Sequence, residues 1–504
     1  MAPTALLIIA AVGVALLLVL VLKFKFQPFL ALTGVSIIVA LAAGIPAADL
    51  VKTIEAGMGS TLGHIAIIIA LGAMIGRIIE VSGGAKSLAT TLINKFGTKR
   101  TPLALTVTGF LLGIPVFFEV GVIILMPLAY GVARKAKRPL LIFALPMCAA
   151  LLTVHAFLPP HPGPVAVAGL LGIDTGRILL FGLPITAVVA LACYFVAKLI
   201  NRRVFAMDDD IRAEVYGPHI TDADLRNFLT TCPTDVGDPV HDHDPIGAGR
   251  TGSSAAGQTG TAATPKAART TVMDRVESPL PAPGFTLIAG LILLPILLIL
   301  AGTIGESTLP EGSVSRATLT VLGAPLVALL LDALLCGYVL GTRRGWSPTA
   351  VGEIMGSAIP GVAMVILIAG AGGVFGKVLV ASGIGDAVSD LLASTGLPVL
   401  VLAFVLTLLL RAVQGSATVA LVTTAGIITP LVADLSLSPN HLALLALGMG
   451  GGALALSHIN DAGYWIVVKL TGLSVGDGLR TWTVITTIAG TFGFLLVVGL
   501  WTIT

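Results

Sequence analysis

The residues best suited to chemistry lie in four short polar interruptions of otherwise apolar segments. The interruptions and their candidate residues are 113–121 with Glu119, 155–164 with His155 and His161, 414–418 with Gly415, Ser416 and Thr418, and 457–463 with His458, Asn460 and Asp461. Each contains Gly or Pro, which interrupts the regular backbone and frees polar N–H and C=O groups. Such groups are tolerated in an apolar setting only inside protein or beside water. The four interruptions therefore predict one shared polar cavity.

Two acidic residues are candidates for carrying a proton. Glu119 is the acid of the first interruption, and an ionisable group inside an apolar segment is costly and therefore a candidate functional residue. Its alternative role is structural, as a carboxylate that caps backbone N–H groups or pairs with a basic residue. Asp461 could carry a proton, pair with a histidine, or cap the following helix together with Asn460.

Hydroxyl groups at the third interruption are candidates for binding a small anion. Ser416 and Thr418 follow Gly415, and hydroxyls beside a helix N-terminus suit a carboxylate and sugar-like hydroxyl groups. The alternative is that both only satisfy loose backbone. Arg411, just before this turn, could supply the counter-charge for an anion.

Three histidines complete the predicted substrate site. His155 and His458 occupy equivalent positions of an internal repeat, which favours a shared role at the site over isolated hydrogen bonding. His161 stands between prolines and is expected to line the site. Asn460 is a further predicted substrate ligand.

The composition points to a membrane protein. The 504-residue chain is 56% hydrophobic and 11% charged, whereas soluble domains carry about 25% charged residues. This excludes an ordinary soluble enzyme, a disordered protein and a nucleic-acid-binding protein. The sequence has no ATP-binding loop, zinc motif or catalytic triad, so we expect no enzymatic activity, cofactor or metal. Transport energy would then come from an ion gradient.

Ten segments are long enough to span a bilayer, whose core of about 30 Å needs about 20 apolar residues per helix. They are 4–22, 28–46, 60–81, 139–170, 177–200, 284–304, 320–341, 357–380, 440–470 and 479–501. The apolar stretches 101–133 and 397–434 are too long for one span and are predicted to be re-entrant hairpins. Basic clusters mark the cytoplasmic side and place both termini outside. We predict an all-α polytopic membrane protein with two hairpins and two broken helices.

A polar middle segment divides the chain into three parts. We predict an N-terminal membrane repeat at 1–200, a flexible cytoplasmic linker at 201–283 and a C-terminal membrane repeat at 284–504. The linker holds 12 of the 26 acidic residues, and its Gly-, Ala-, Ser- and Thr-rich stretch 247–271 cannot bury enough apolar area to order itself. The tract 241–244 (His-Asp-His-Asp) could bind a metal weakly or be a solvated polar tract.

The two membrane parts resemble each other at an offset of about 300 residues. Gly72-Ala-Met-Ile-Gly76 matches Gly372-Gly-Val-Phe-Gly376, and His155 matches His458. Both Gly-xxx-Gly motifs are expected to mediate close helix packing. Because the predicted topology inserts the halves from opposite sides, they are predicted inverted repeats, an arrangement that places transporter binding sites at the membrane midplane.

Six motifs carry a resemblance to a known family. They are Gly57-Met-Gly-Ser-Thr-Leu-Gly63, Gly72-Ala-Met-Ile-Gly76, Phe118-Glu-Val-Gly121, His155-Ala-Phe-Leu-Pro-Pro-His-Pro-Gly-Pro164, Gly415-Ser-Ala-Thr-Val419 and Ser457-His-Ile-Asn-Asp461. With them the chain resembles the gluconate permease family, the gluconate:proton symporters, over nearly its whole length outside 201–283. The linker is longer than is usual in that family, and Asp332 is not part of the family pattern.

The resemblance implies a multi-pass protein of the cell membrane that imports gluconate or a related small hydroxy or sugar acid by proton symport. Transport of D-serine or another small organic acid is the alternative, as is coupling to Na⁺. The family is similar to a wider group of anion transporters with paired hairpins. In that group a hairpin and a broken helix from each half hold the substrate, and homodimers move a transport domain against a scaffold. The resemblance therefore implies a homodimer and places the four interruptions at the substrate site.

Overall fold

The computed structural model describes residues 2–24, 26–97, 100–221, 223–225, 281–384, 387, 398–433, 435–459 and 461–504. The regular structure of these residues is helical throughout. Asn460 and the tract 241–244 lie outside the described residues, so their roles remain predictions.

The first half of the chain forms a series of helices joined by short turns. They are α1 Pro3–Leu22, α2 Pro28–Ala42, α3 Ala47–Val81, α4 Gly84–Phe96, α5 Thr101–Leu112, α6 Phe118–Ala136, α7 Leu141–Phe157, α8 Pro162–Leu171, α9 Thr175–Ile200 and α10 Asp209–Tyr216. Proline stands in the first turn of α1, α2, α5 and α8. It suits that position because its fixed φ is helical and the N–H it lacks would have no helical partner.

The second half follows a similar plan. Its described helices are α11 Phe285–Thr308, α12 Val314–Gly323, α13 Pro325–Cys336, α14 Pro348–Gly356, α15 Ile359–Ala381, α16 Val399–Gln414, α17 Ala417–Ala433, α18 Pro439–Leu454, α19 Ala462–Thr471, α20 Val475–Gly478 and α21 Val484–Trp501. A π-helical turn at Gly337–Gly341 extends α13, and another at Leu479–Thr483 joins α20 to α21. Serine side chains cap several helix starts, as Ser438 caps α18.

Seven segments of the described chain are long and apolar enough to cross a membrane. They are Ala47–Val81, Leu141–Leu171, Thr175–Ile200, Phe285–Thr308, Pro325–Arg344, Ile359–Ala381 and Val475–Trp501. Shorter apolar helices accompany them, including α2, α5, α16 and α17. The protein is thus an all-α polytopic membrane protein. The predicted span 60–81 is the second part of α3, a single helix of 35 residues.

Corresponding helices of the two halves recur 300 residues apart. Helix α8 spans Pro162–Leu171 and α19 spans Ala462–Thr471, while α9 begins at Thr175 and α20 at Val475. Each half presents a helix pair (α5–α6, the first hairpin; α16–α17, the second hairpin). A broken helix follows each pair (α7–α8, the first broken helix; α18–α19, the second broken helix). The order of elements thus repeats, and the opposite insertion of the halves stays a prediction.

The predicted topology places on the cytoplasmic side the linker and the loops with the basic residues Arg344 and Lys469, and these segments lie together. The Asp208 N–H donates to the Gly472 carbonyl at 2.7 Å, and Arg344 Nη2 donates to the Pro281 carbonyl at 2.6 Å. The start of the linker also packs on this end of the molecule, where the Tyr216 hydroxyl donates to the carbonyl of Arg138 at 2.7 Å.

Residues assigned to the opposite side also meet. Arg177 Nη1 donates to Asn440 Oδ1 at 2.9 Å, and the Thr303 hydroxyl donates to Asp174 Oδ2 at 3.0 Å. The contacts therefore divide these loops into two groups, one at each end of the molecule, and the division agrees with the predicted topology. Which set faces the cytoplasm stays a prediction.

The two Gly-xxx-Gly motifs pack against different partners. Gly376 meets the Gly426 backbone of α17, where an added Cβ would lie 3.4 Å from the Gly426 carbonyl oxygen, as expected of close helix packing. Gly76 instead lies against the carbonyl of Pro115, and an added Cβ would overlap that oxygen. Gly72 lies against Pro160. Helix α3 therefore packs on the first hairpin turn and the first helix break, and it holds both in place.

Candidate functional site

Four helix N-termini meet where the two hairpins contact the two broken helices. An added Cβ on Gly163, in the first turn of α8, would lie 2.7 Å from Leu421 of α17. In the same way, an added Cβ on Gly463, in the first turn of α19, would lie 2.8 Å from the ring of Phe118 at the start of α6. Each broken helix thus contacts the hairpin of the other half. The absence of side chains at both glycines permits this approach.

The first turns of these helices bring positive dipole ends and some backbone N–H groups to the site. Helix α8 provides fewer, because Pro162 and Pro164 have no N–H. The N–H groups of Val419 and Gly463 are already bonded to Ser416 and Asp461. The first four N–H groups of a helix have no partner within the helix, and the positive end of the helix dipole lies there. Together these two features make a helix N-terminus an anion-binding element. The meeting of α6, α8, α17 and α19 therefore builds a region suited to a small anion.

A histidine ties each hairpin to the broken helix of its own half. A ring nitrogen of His161, Nε2, bonds the carbonyl of Gly113, and His458 Nε2 bonds the carbonyl of Ala412 at 2.7 Å. Because a carbonyl only accepts, both nitrogens must carry the hydrogen. His161 and His458 therefore make the same kind of bond in the two halves, although the sequence comparison of the halves pairs His155 with His458.

His155 lies beside His161 with one ring nitrogen unused. The two ring centroids are 4.6 Å apart, and the Phe117 ring lies 6.3 Å from His155 and 6.0 Å from His161. Within the described part of the chain, the buried Nδ1 of His155 has no hydrogen-bond partner. His155 also lies within electrostatic range of Arg411 from the second hairpin. It is thus placed to hydrogen-bond a substrate group between the two hairpins.

Arg411 and Asp461 form a buried ion pair at the second hairpin. Arg411 Nη2 lies 2.5 Å from Asp461 Oδ2, and the Arg411 side chain is 1% exposed. Arg411 also donates to the carbonyl of Gly415, whose φ of +80° is readily adopted by glycine and ends α16. Asp461 further accepts from the Gly463 N–H at 2.9 Å and so caps α19.

A serine and a tryptophan extend this pair into a network. The Ser457 hydroxyl donates to Asp461 Oδ2, and Trp482 Nε1 donates to Ser457 Oγ at 2.7 Å. The Trp482 ring stacks on Phe118, with centroids 5.7 Å apart. The network links the second broken helix to the start of α6 in the first hairpin. Ser457 lies in the fourth interruption but was not predicted as a site residue, and Trp482 was not predicted because no local pattern sets it apart.

Glu119 adds a second carboxylate to the same region. It lies in the first turn of α6, accepts from its own backbone N–H, and is within electrostatic range of Arg411 and Asp461. The buried cluster, formed by Glu119, Arg411 and Asp461, thus contains one guanidinium and two carboxyl groups. With all three ionised, it would carry one excess negative charge.

Hydroxyl and amide groups line the second hairpin turn. Ser416 Oγ accepts from the Val419 N–H at 3.3 Å, so Ser416 satisfies backbone while its own O–H remains a donor. Thr418 is buried, with its backbone near Gly163. The buried Oε1 of Gln414 has no hydrogen-bond partner among the described residues. Gln414 was not predicted as a site residue, although it lies in the third interruption.

A cavity of about 170 Å³ adjoins the first hairpin turn. Its lining includes Pro115, Val116 and Phe117 together with Arg77 and Glu80 of α3. Arg77 Nη1 pairs with Glu80 Oε2 at 2.9 Å. The volume equals roughly five or six water molecules. Phe117 lines this cavity and also lies beside the rings of His155 and His161.

The fold and this site define a class of protein, a multi-pass membrane transporter built from hairpins and broken helices. In particular, the chain belongs to the GntP permease family, whose profile matches residues 5–234 and 257–504. The chain is 45% identical over 503 residues to the "Inner membrane permease YgbN" of Escherichia coli (strain K12), with 100% of each chain covered.

Other relatives carry a substrate in their names. The chain is 33% identical to the "High-affinity gluconate transporter" of Escherichia coli (strain K12), covering 97% of this chain and 98% of that one. It is 35% identical to the "Gluconate permease" of Bacillus subtilis (strain 168), covering 98% and 99%. Among solved structures, the fold is similar to the YdaH transporter of Alcanivorax borkumensis, with a TM-score of 0.60, 15% identity, and 95% and 98% coverage. The protein is therefore a permease of the cell membrane and not an enzyme.

Proposed function

We propose that this permease imports gluconate or a closely related sugar acid together with protons. The observation that carries the proposal is the buried cluster of Arg411, Asp461 and Glu119 at the meeting point of four helix N-termini. The gluconate transporters among the relatives support the choice of substrate.

The substrate carboxylate would bind at the second hairpin. Arg411, the free N–H groups of α17 and the hydroxyls of Ser416 and Thr418 provide donors for it. The hydroxyl groups of a sugar acid need acceptors as well, which His155 Nδ1 and Gln414 Oε1 can supply. His161 and His458 hold the two turns in place, and Asn460 remains a proposed ligand.

Charge balance would couple the anion to protons. Asp461 pairs with Arg411 in this structure, so a substrate carboxylate must compete with Asp461 for the guanidinium. An added carboxylate would also raise the excess negative charge of a buried cluster, which is strongly unfavourable. Protonation of Asp461 releases Arg411 for the substrate, and protonation of Glu119 removes the second negative charge. Binding of the anion and uptake of protons thus favour each other.

The orientation and assembly follow from the same proposal. The linker and the ends near Arg138 and Gly472 would face the cytoplasm, and the protein would act as a homodimer with alternating access. Movement of the hairpins relative to the surrounding helices would expose the site to each side in turn.

Uptake of radiolabelled gluconate into proteoliposomes tests the proposal. An inward proton gradient should drive accumulation that a protonophore abolishes and that sodium does not support. Unlabelled 2-ketogluconate should compete, whereas D-serine should not. Sodium-dependent uptake would show that sodium, and not the proton, is the coupling ion. Transport of D-serine instead of gluconate would show that the proposed substrate is wrong.

A further inference from the structure

The carboxylate of Asp332 is buried but has no role in the function proposed above. In the sequence, Asp332 is distant from the buried cluster of Glu119, Arg411 and Asp461. Asp332 lies within the apolar helix α13 and is fully buried. Its Oδ1 accepts a weak, long hydrogen bond from Cys336 Sγ at 3.9 Å, and its Oδ2 has no partner among the described residues. A buried polar atom without a partner is rare in native proteins and requires an explanation.

Asp332 lines a cavity of about 20 Å³ between two groups of elements. One wall comes from the first hairpin turn and the first helix break, through Pro115, Pro159 and Pro160. The opposite wall comes from α11 and α13, including Pro295. The volume is sufficient for about one water molecule. The loops that support Glu119, His155 and His161 therefore also close the cavity at Asp332.

We propose that Asp332 is a proton-binding residue of the transport cycle, exposed or sealed by the movement of the first hairpin. The proposal rests on the proposed function, since it adds a proton site to the two that the cluster provides in the same cycle. In the arrangement of this structure an ionised Asp332 carboxylate would be buried without a counter-charge, which is costly. The neutral acid, with its proton on Oδ2, avoids that cost. Movement of the hairpin turn and the break would admit water and allow the proton to leave.

The surroundings of Asp332 provide little that could stabilise its charge. Cys336 is the titratable group in contact with it. The cavity walls contributed by α3, α9 and α11 are apolar except for Thr175. On α3, Arg77 and Glu80 pair with each other and line the larger cavity. His64 precedes Ile68 of the cavity wall by one helical turn in the sequence.

The test is to measure gluconate accumulation by Asp332→Asn in proteoliposomes with the membrane potential clamped at zero. Loss of one coupled proton lowers the attainable accumulation ratio about tenfold for each unit of imposed pH difference. We expect that loss, with exchange of labelled for unlabelled gluconate kept within about twofold of the wild type. Asp332→Glu keeps a carboxyl group at this position and should therefore accumulate gluconate as the wild type does. Cys336→Ala, which removes the neighbouring thiol, and His64→Gln should leave the accumulation ratio unchanged.

Two results would overturn the proposal. Asp332→Asn with the wild-type accumulation ratio would show that no coupled proton binds there. Loss of exchange together with accumulation would show a structural role.

A second measurement does not depend on the substrate. Ionisation of Asp332 is unfavourable only in the folded protein. The unfolding temperature of the wild type in detergent should therefore fall as the pH is raised through the Asp332 titration. The unfolding temperature of Asp332→Asn should fall less over the same pH range. An identical pH dependence in both proteins would also contradict the proposal. The unfolding measurement still tests the role of Asp332 if the wild type transports no gluconate. That outcome would contradict only the proposed function.

Discussion

The ion pair between Arg411 and Asp461 allows a quantitative prediction. In Asp461→Asn, the amide can still cap α19 and accept from Ser457, but Arg411 keeps a buried charge without its partner. Breaking a buried pair in this way costs about 3–5 kcal/mol. In Arg411→Met the remaining carboxylate still accepts from Ser457 and the Gly463 N–H. We therefore expect a cost of about 3 kcal/mol, at the lower end of that range.

The double variant Arg411→Met/Asp461→Asn should be less destabilised than the sum of the two single variants. It buries no unpaired charge, and neutral replacements of buried ion pairs often have little net effect on stability. The double variant should cost no more than either single variant, so we expect a favourable coupling of at least about 3 kcal/mol. The assay is a double-mutant cycle of unfolding free energies in mild detergent, followed by the fluorescence of the four tryptophans.

The pair Arg77 and Glu80 provides a matched control. Its atoms are 2.9 Å apart, but the side chains are 27% and 17% exposed. Solvent-exposed pairs contribute up to about 1 kcal/mol, so Arg77→Met/Glu80→Gln should show a smaller coupling. Costs at Arg411 and Asp461 that add within about 0.5 kcal/mol would refute the reasoning that the two residues neutralise each other.

Three further variants test other parts of the site. Glu119→Gln should lower gradient-driven accumulation but keep gluconate exchange, because it removes one of the protonatable groups from the cluster. Accumulation at the wild-type level would exclude Glu119 from coupling. Ser416→Ala and Thr418→Ala should each raise the half-saturation concentration for gluconate up to about tenfold, since a hydrogen bond contributes about 0.5–1.5 kcal/mol. An unchanged value would discard that hydroxyl as a ligand. Gly76→Ala should lower the unfolding temperature and the transport rate, because its Cβ would overlap the Pro115 carbonyl. Wild-type behaviour in both assays would show that the hairpin turn can move away freely.

Local sequence signals predicted the elements of the fold. Gly and Pro at the four interruptions, together with the length of the apolar runs, were sufficient to locate the helix pair turns at 113–117 and 415–416 and the two helix breaks. These features depend on backbone geometry at single positions, which residue type reports directly. The start of α3 at Ala47 was missed because polar residues such as Lys52 and Glu55 interrupt its apolar pattern.

Contacts between distant segments could not be read from the sequence. Arg411 was identified as a possible counter-charge for an anion, but no sequence pattern indicates that it forms an ion pair with Asp461. The offset between the halves aligned His155 with His458, whereas the bond to the hairpin carbonyl is made by His161. Trp482 reaches the site through a π-helical turn, a feature that has no signature in residue type. These are tertiary properties, and a single sequence does not encode them in a local pattern.

The central claim is that a substrate carboxylate replaces Asp461 at Arg411 and that Asp461 takes up a proton as it is released. Proton uptake on gluconate binding, measured with purified protein in weakly buffered detergent solution, tests this most directly. The account predicts uptake of about one to two protons for each gluconate bound, on Asp461 and Glu119, and therefore tighter binding at lower pH. The Asp461→Asn variant should take up fewer protons. Binding of gluconate without net proton uptake, at an affinity independent of pH, would contradict the account.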